Sequence, residues 1–360
     1  MKILYVTTGL RVGGAETQLL QLATRMQIRG FKVHVVSMEA GGELKNSFLK
    51  ESIPVSELNI SGLGSLLSGY LILKSVIKDF KPDVVHSHMI HANLFSRLFN
   101  LFNRVPKLIC TAHNIKEGSR YLMECYRITD KLANISTNVS EEAYEYYIEK
   151  GYFKRDRSLF IPNGIDTEIF KPRTEHIAVI GEEMPFGTNY IFLAVGRLEQ
   201  QKNYPLLLAA FRSVVDVHSD VLLLIVGQGT LDKELRELVS TLGIAAHVKF
   251  LGRRDDVSSI LNISDTFVLS SDYEGFGLVV GEAMATEVPI IATDCGGVKE
   301  VAGGFATLID VGNMEALSKA MVHNKISSRN FAKLKAGRTH IVTKFSIENV
   351  VERWIKIYSQ

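Results

Sequence analysis

Three cysteines in 360 residues, Cys110, Cys125 and Cys295, are too few and too widely spaced for a disulfide framework or the paired ligands of a zinc site. That usage suits a reducing, cytoplasmic compartment. Proline is also scarce, at eight residues, which excludes collagenous and proline-rich disordered classes. No stretch approaches ~18 uninterrupted apolar residues, so no segment is expected to span a bilayer. The opening Met1-Lys-Ile-Leu-Tyr-Val6 has neither the long apolar run nor the cleavage site of a signal peptide. A strong charge of one sign is missing too, because the formal net charge is +2. Up to Glu175 there are 23 Lys and Arg against 18 Asp and Glu, and beyond it 18 against 21. An asymmetry this small does not announce nucleic acid; it suits either an ordinary solvated surface or a first domain leaning on an anionic membrane.

What is present is ordinary globular composition, 46% hydrophobic and 22% charged, in a chain long enough for two domains. Short β-branched runs alternate with longer amphipathic stretches, the pattern of βα units around a parallel sheet. Strands are expected at Lys2–Val6, Lys32–Ser37, Asp83–His86, Lys107–Thr111, Ala133–Thr137 and Ser158–Ile161, with helices near Ala15–Arg29, Gly64–Asp79, His91–Asn103 and Ser140–Lys150. Lys171–Asn189, with two prolines and two glycines and no periodicity, reads as a linker. The alternation then restarts, with strands at Tyr190–Val195, Val221–Val226, Val248–Leu251, Thr266–Leu269, Ile290–Ala292 and Thr307–Ile309. Helices are expected between them at Tyr204–Val217, Leu231–Leu242, Val257–Ile263, Phe276–Thr286 and Asn313–His323.

This gives an α/β protein of two Rossmann-like, doubly wound domains, 1–170 and 190–345, joined by the linker 171–189. The closing segment Ser346–Ser359 is strongly amphipathic, and helix 346–360 is expected to pack back on the first domain. Open parallel sheets bind ligands at the carboxyl ends of their strands, so two such domains are expected to face each other across one cleft.

Glu274-Gly-Phe-Gly-Leu-Val-Val-Gly-Glu282 places two glutamates seven residues apart across a glycine-rich strand-to-helix turn. A helix starting near Phe276 would offer the free N–H groups around Gly277, Leu278 and Val279 as an anion site beside Glu282. By spacing alone, a loop carboxylate and a solvated helix residue explain the pair equally well. Arg197 and Lys202 follow the strand ending at Val195; there they either grip an anion or form an ordinary surface pair. Gly13 and Gly14 close the first strand-to-helix loop, where a tight turn explains them as readily as a ligand. His86 and His88 share one side of a strand, but no nearby carboxylate or thiol completes a metal site with them or with His91, and acceptor contact is the better reading.

The Glu274–Glu282 stretch resembles the E-x7-E signature of retaining glycosyltransferase family 4, whose fold is GT-B. The resemblance runs through nearly the whole chain, taking in Gly13-Gly14-Ala15-Glu16, Pro162-Asn163-Gly164-Ile165-Asp166, Val195-Gly-Arg197-Leu-Glu-Gln-Gln-Lys202-Asn203 and Val226-Gly227-Gln-Gly229. It implies a donor diphosphate held by Arg197, Lys202, the Gly13-Gly14 loop and the helix start at Phe276 to Val279. It also implies a nucleoside ribose on Glu282, sugar hydroxyls on Glu274 and His113 at the transferred sugar. By their places at strand ends, Gly227 is expected to let the nucleotide approach closely and Arg253 or Arg254 to cover the base.

No Asp-x-Asp triplet occurs in the chain, so no metal and no other cofactor is expected. The resemblance implies front-face transfer with retention, in which the leaving phosphate oxygen takes the acceptor proton. Similar sequences are bacterial enzymes of capsule, O-antigen and exopolysaccharide assembly. They imply a UDP-hexose or UDP-N-acetylhexosamine donor and a polyprenyl-diphosphate-linked glycan acceptor at the inner face of the plasma membrane. The apolar segment His91–Arg104, punctuated by Arg97, is either a helix packed on the sheet or one lying in the membrane interface. A sugar-nucleotide epimerase and an inactive nucleotide-sugar-binding subunit stay open as alternatives.

Overall fold

The computed structural model describes residues 1–173 and 189–360, so most of the expected linker lies outside the described residues. The described chain divides into two compact units, Met1–Gly164 with Ile347–Gln360, and Ile165–Ser346.

The first unit is built on β1 (Lys2–Thr7), β2 (Lys32–Ser37), β3 (Val55–Glu57), β4 (Val84–His88), β5 (Leu108–Ala112), β6 (Ile135–Asn138) and β7 (Ser158–Phe160). All pair in parallel, in the order β3-β2-β1-β4-β5-β6-β7. The central strands are near-continuous apolar runs because helices cover both faces. The helices are α1 (Gly14–Ile28), α2 (Lys45–Lys50), α3 (Leu66–Phe80), α4 (Ile90–Asn103), α5 (Arg120–Thr129) and α6 (Glu141–Glu149). β3, α2 and α5 were not expected; three and six residues are too short to show a period, and α5 buries only Met123 and Tyr126.

The second unit repeats the plan with β8 (Tyr190–Val195), β9 (Val221–Val226), β10 (Val248–Gly252), β11 (Thr266–Leu269), β12 (Ile290–Thr293) and β13 (Thr307–Ile309). Their order is β10-β9-β8-β11-β12-β13, again parallel. Its helices are α7 (Tyr204–Val217), α8 (Asp232–Thr241), α9 (Val257–Asn262), α10 (Leu278–Ala285), α11 (Val298–Ala302), α12 (Met314–Ile326) and α13 (Phe331–Phe345). α13 escaped the sequence reading because only Gly337, Ile341 and Phe345 of its residues are buried.

The final helix, α14 (Ile347–Ser359), lies in the first unit. It buries Ile347, Val350, Val351, Trp354, Ile357 and Tyr358 among residues of α1, β1 and β2. Glu348 on its outer face receives Arg25 Nε at 2.8 Å and Arg29 at 2.7 Å. The apolar stripe drives the docking, and the exposed ion pairs, worth about 1 kcal/mol or less each, set its register.

Candidate functional site

In each sheet the strand order reverses at one pair of neighbours, β1 with β4 and β8 with β11. Loops leave the carboxyl ends of such strands in opposite directions and open a crevice, where doubly wound sheets bind ligands.

In the second unit, the loops after β8 and β11 are stitched together. Ser270 Oγ donates to the Lys202 carbonyl at 2.8 Å, the Asp272 N–H to the Gln201 carbonyl at 2.9 Å, and Asn203 Nδ2 to Asp272 Oδ1 at 2.7 Å. This brings Lys202 to Glu274, 72 residues away, with Lys202 Nζ donating to Glu274 Oε1 at 2.6 Å. Ser271 Oγ donates to the same oxygen at 2.6 Å. Both side chains of the ion pair are largely covered, 15% and 10% exposed. Gly296 secures the glutamate from behind: a Cβ there would stand 1.9 Å from the Glu274 carbonyl oxygen. No side chain fits that gap.

Three residues on, Gly277 adopts φ +86 as the N-cap of α10, with no side-chain cap. The left-handed turn suits glycine, and the first N–H groups of the helix, those of Leu278 and Val279 among them, have no carbonyl within the helix to bond. The helix thus begins two residues later than expected. Phe276 is buried with its ring against Phe345 at 5.6 Å, so only its backbone remains for a ligand. Glu282, on the second turn of α10, is partly covered. Burial pushes its carboxyl up to about 7, against the attraction of Lys202. One lysine therefore acts on both glutamates of the seven-residue spacing.

Arg197 is exposed, and its charge assists two Thr230 hydrogen bonds in holding Glu199 below the usual carboxylate range. Gly227 packs so close to the Gly196 carbonyl that a Cβ would lie 1.9 Å from its oxygen. Arg253 makes one long contact, 3.5 Å to Asp255, whereas Arg254 is held by both oxygens of Asp256 at 2.8 and 2.7 Å. Of the two arginines, Arg253 is the less committed.

In the first unit, Gly13 is the N-cap of α1. A Cβ on it would meet the Glu16 carboxylate at 2.5 Å, so Gly13 and Gly14 border an acidic group that already complements the helix dipole. His113 follows β5 and is 7% exposed; burial lowers its ring to about 4. Its Nε2 lies 3.0 Å from His88 Nδ1. His86 spends both ring nitrogens at 2.7 Å, on the Tyr358 hydroxyl and on Thr111 Oγ1, and so has none for a metal. His91 is exposed on α4. Among the described residues no group of three or more His, Cys, Asp or Glu is placed to hold a metal ion.

α4 settles as a helix packed on the sheet, with Arg97 fully buried, contacting Asp130 at 3.4 Å and lying over the Tyr126 ring at 3.9 Å. Arg97 is therefore unavailable to lipid headgroups. The outer face of α4 does expose Leu98, Leu101 and Phe102. No helix among the described residues is long and apolar enough to cross a membrane.

Three participants escaped the sequence reading. Ser271 and Tyr358 are unremarkable without the fold that seats them against Glu274 and His86. Glu117, four residues after His113, accepts the backbone N–H groups of His113 and Asn114, and burial raises its carboxyl to about 8.

Comparison with known proteins follows this division. Residues 12–169 match the family model described as Glycosyltransferase Family 4, and residues 180–332 the one described as Glycosyl transferases group 1. The chain is 27% identical to the UDP-Gal:alpha-D-GlcNAc-diphosphoundecaprenol alpha-1,3-galactosyltransferase of Escherichia coli, over 99% of this chain and 96% of that protein. It is 29% identical to an uncharacterised glycosyltransferase of Methanocaldococcus jannaschii, over 63% of this chain and 59% of that one. Among solved structures, Anabaena HepE in complex with UDP-glucose superimposes with a TM-score of 0.87 at 22% identity, covering all of this chain and 99% of that one.

Proposed function

The chain belongs to glycosyltransferase family 4 and is a glycosyltransferase of the GT-B fold, and from that premise we infer that it moves a hexose or N-acetylhexosamine from a UDP-sugar to a polyprenyl-diphosphate-linked acceptor, with retention and without a metal. The observation that carries the reading is the Lys202–Glu274 pair at 2.6 Å, next to the uncapped start of α10 and within electrostatic reach of Glu282. The nucleotide and acceptor classes are supported by the printed specificity of the Escherichia coli relative and by the UDP-glucose complex of HepE.

In this reading the diphosphate takes the free N–H groups around Gly277, Leu278 and Val279, with Lys202 and Arg197 as its cations. Lys202 has three donors and Glu274 uses one, so two are left for phosphate oxygens. Both hydrogen bonds to Glu274 fall on Oε1, which leaves Oε2 for a sugar hydroxyl. Glu282 accepts from the ribose, Gly227 lets the nucleotide approach, Arg253 covers the base, and His113 meets the transferred sugar. Gly13 and Gly14 contribute backbone, the donor taking the place of the Glu16 carboxylate beside Gly13.

As the bond from the anomeric carbon to the phosphate oxygen breaks, negative charge grows on the leaving UDP. Fixed cations and helix N–H groups stabilise that charge more than the ground state, which is how the protein lowers the barrier. The acceptor oxygen bonds the same face, and its proton passes to the leaving phosphate oxygen. Exposed Leu98, Leu101 and Phe102, followed by Arg104, supply a small surface for peripheral contact with an anionic membrane, where such an acceptor resides.

The test is incubation with UDP-glucose, UDP-galactose and their N-acetyl forms, with a polyprenyl-diphosphate-linked sugar and excess chelator, followed by NMR of the product linkage. An α-linked product formed at full rate under chelation is expected. Complete loss with chelator contradicts the metal-free mechanism, and a free epimer released without acceptor favours the epimerase reading.

A further inference from the structure

His88 and His113 are both buried, and each keeps one ring nitrogen with no partner among the described residues: Nε2 on His88 and Nδ1 on His113. The other two nitrogens, His88 Nδ1 and His113 Nε2, face each other at 3.0 Å. Burial lowers both rings below the ordinary histidine range, His113 to about 4 and His88 well below its usual value. Both are thus neutral near pH 7, and each carries a single N–H.

Two neutral imidazoles joined in this way cannot choose tautomers independently. If His88 Nδ1 carries the proton and donates, His113 Nε2 is bare, so the His113 proton sits on Nδ1. If His113 Nε2 donates, His88 Nδ1 is bare, so the His88 proton sits on Nε2. The two rings therefore share one tautomer, both Nδ1–H or both Nε2–H. The mixed combinations set two protons or two lone pairs against each other in a buried site, at a cost of about 1–3 kcal/mol.

The surroundings hold His88 firmly. It is the last residue of β4, its ring lies 4.1 Å from that of His86, and Met89 after it takes φ +72, a strained value for a non-glycine residue. A cavity of about 10 Å³ touches both histidines along with Gln18, Thr111 and Asn163. That is near the lower limit for one water, which would give the unpartnered nitrogens a polar neighbour.

The geometry points to His88 as a positioning residue for transfer, one that orients the His113 ring and sets whether His113 Nδ1 meets the sugar as a donor or as an acceptor. This rests on the reading of His113 as the residue at the transferred sugar.

Histidine 15N NMR of the full-length wild-type protein at pH 7 tests the coupling without any variant: both rings in the same tautomer is expected, and opposite tautomers overturn it. Kinetics tests the consequence. His88→Phe keeps a ring against His86 but removes the bond to His113, and should lower kcat about tenfold with KM for the donor within about twofold. His88→Asn puts an amide where Nδ1 was and should restore most of kcat. In a His113→Ala background His88→Phe should cost nothing further. Equal loss in Phe and Asn variants, or an undiminished His88→Phe effect in that background, overturns the assignment. A fully active His113→Ala enzyme instead refutes the underlying role of His113, which keeps the two failures distinguishable.

Discussion

Lys202 Nζ donates to Glu274 Oε1 across 2.6 Å, joining the loop after β8 to the loop after β11. Each residue is ambiguous by itself; together they form a pre-positioned cation with a carboxylate that holds it in place. An ion kept in its working orientation before substrate arrives does not have to be reorganised during the reaction.

Removing either partner should therefore impair transfer severely. Lys202→Ala and Glu274→Ala are each expected to lower kcat/KM by about 10²–10³. The double variant should fall well short of the product of the two losses, because the residues act as a unit. Breaking a largely covered pair also destabilises, by at most about 3 kcal/mol, so circular dichroism should show folded protein with a lower melting temperature. Steady-state rates and melts on the three variants check this.

Glu282 gives a pH signature. Its folded-state value of about 7 lies above the ordinary carboxyl value, so between about pH 4.5 and 7 the folded protein holds a proton that the unfolded chain has released. Stability should fall as pH rises through that window, and Glu282→Gln should flatten the fall. In the proposed donor arrangement ribose hydroxyls favour the charged Glu282 carboxylate, so nucleotide binding at pH 6 should release protons and weaken as pH drops below 7. Calorimetry in buffers of different ionisation enthalpy measures the release directly.

Glu117 should behave similarly one step higher, since its carboxyl is raised to about 8. Here the folded protein keeps its proton over a wider range, and stability should decline up to about pH 8. Glu117→Gln retains an acceptor for the His113 and Asn114 N–H groups and should be mild. Glu117→Ala strands both donors and should cost about 1–3 kcal/mol. Denaturant melts across pH 5 to 9 distinguish the two.

Much of the fold was legible because parallel strands buried on both faces announce themselves: Val221-Leu-Leu-Leu-Ile-Val226 is apolar throughout and fully buried. The seven-residue glutamate spacing and the glycines around it were legible too, as was the position of Lys202 after a strand. What the chain order conceals is long-range adjacency. Nothing local says that Lys202 meets Glu274, that Ser271 supports them, or that Tyr358, near the end of the chain, bonds His86. At α4 the sequence left two readings open, a helix packed on the sheet and one lying in the membrane interface, because an arginine in an apolar stretch suits either. Asp130 and the Tyr126 face satisfy Arg97 inside, and the packed helix is the one formed.

The closing helix should be indispensable to the first unit. Trp354, the single tryptophan of the chain, is 4% exposed with its ring 4.5 Å from His86. Trp354→Ala should cost about 3–5 kcal/mol, measured by denaturant titration followed by circular dichroism. Trp354→Phe should recover much of that loss.

The proposed function rests on UDP being held by cations and helix N–H groups of the second unit. Calorimetric titration of UDP and of uridine into wild type, Arg197→Ala, Lys202→Ala and Glu282→Ala tests it most directly. All three variants are expected to bind UDP at least about tenfold more weakly, and only Glu282→Ala to weaken uridine. UDP affinity unchanged in all three variants would contradict it.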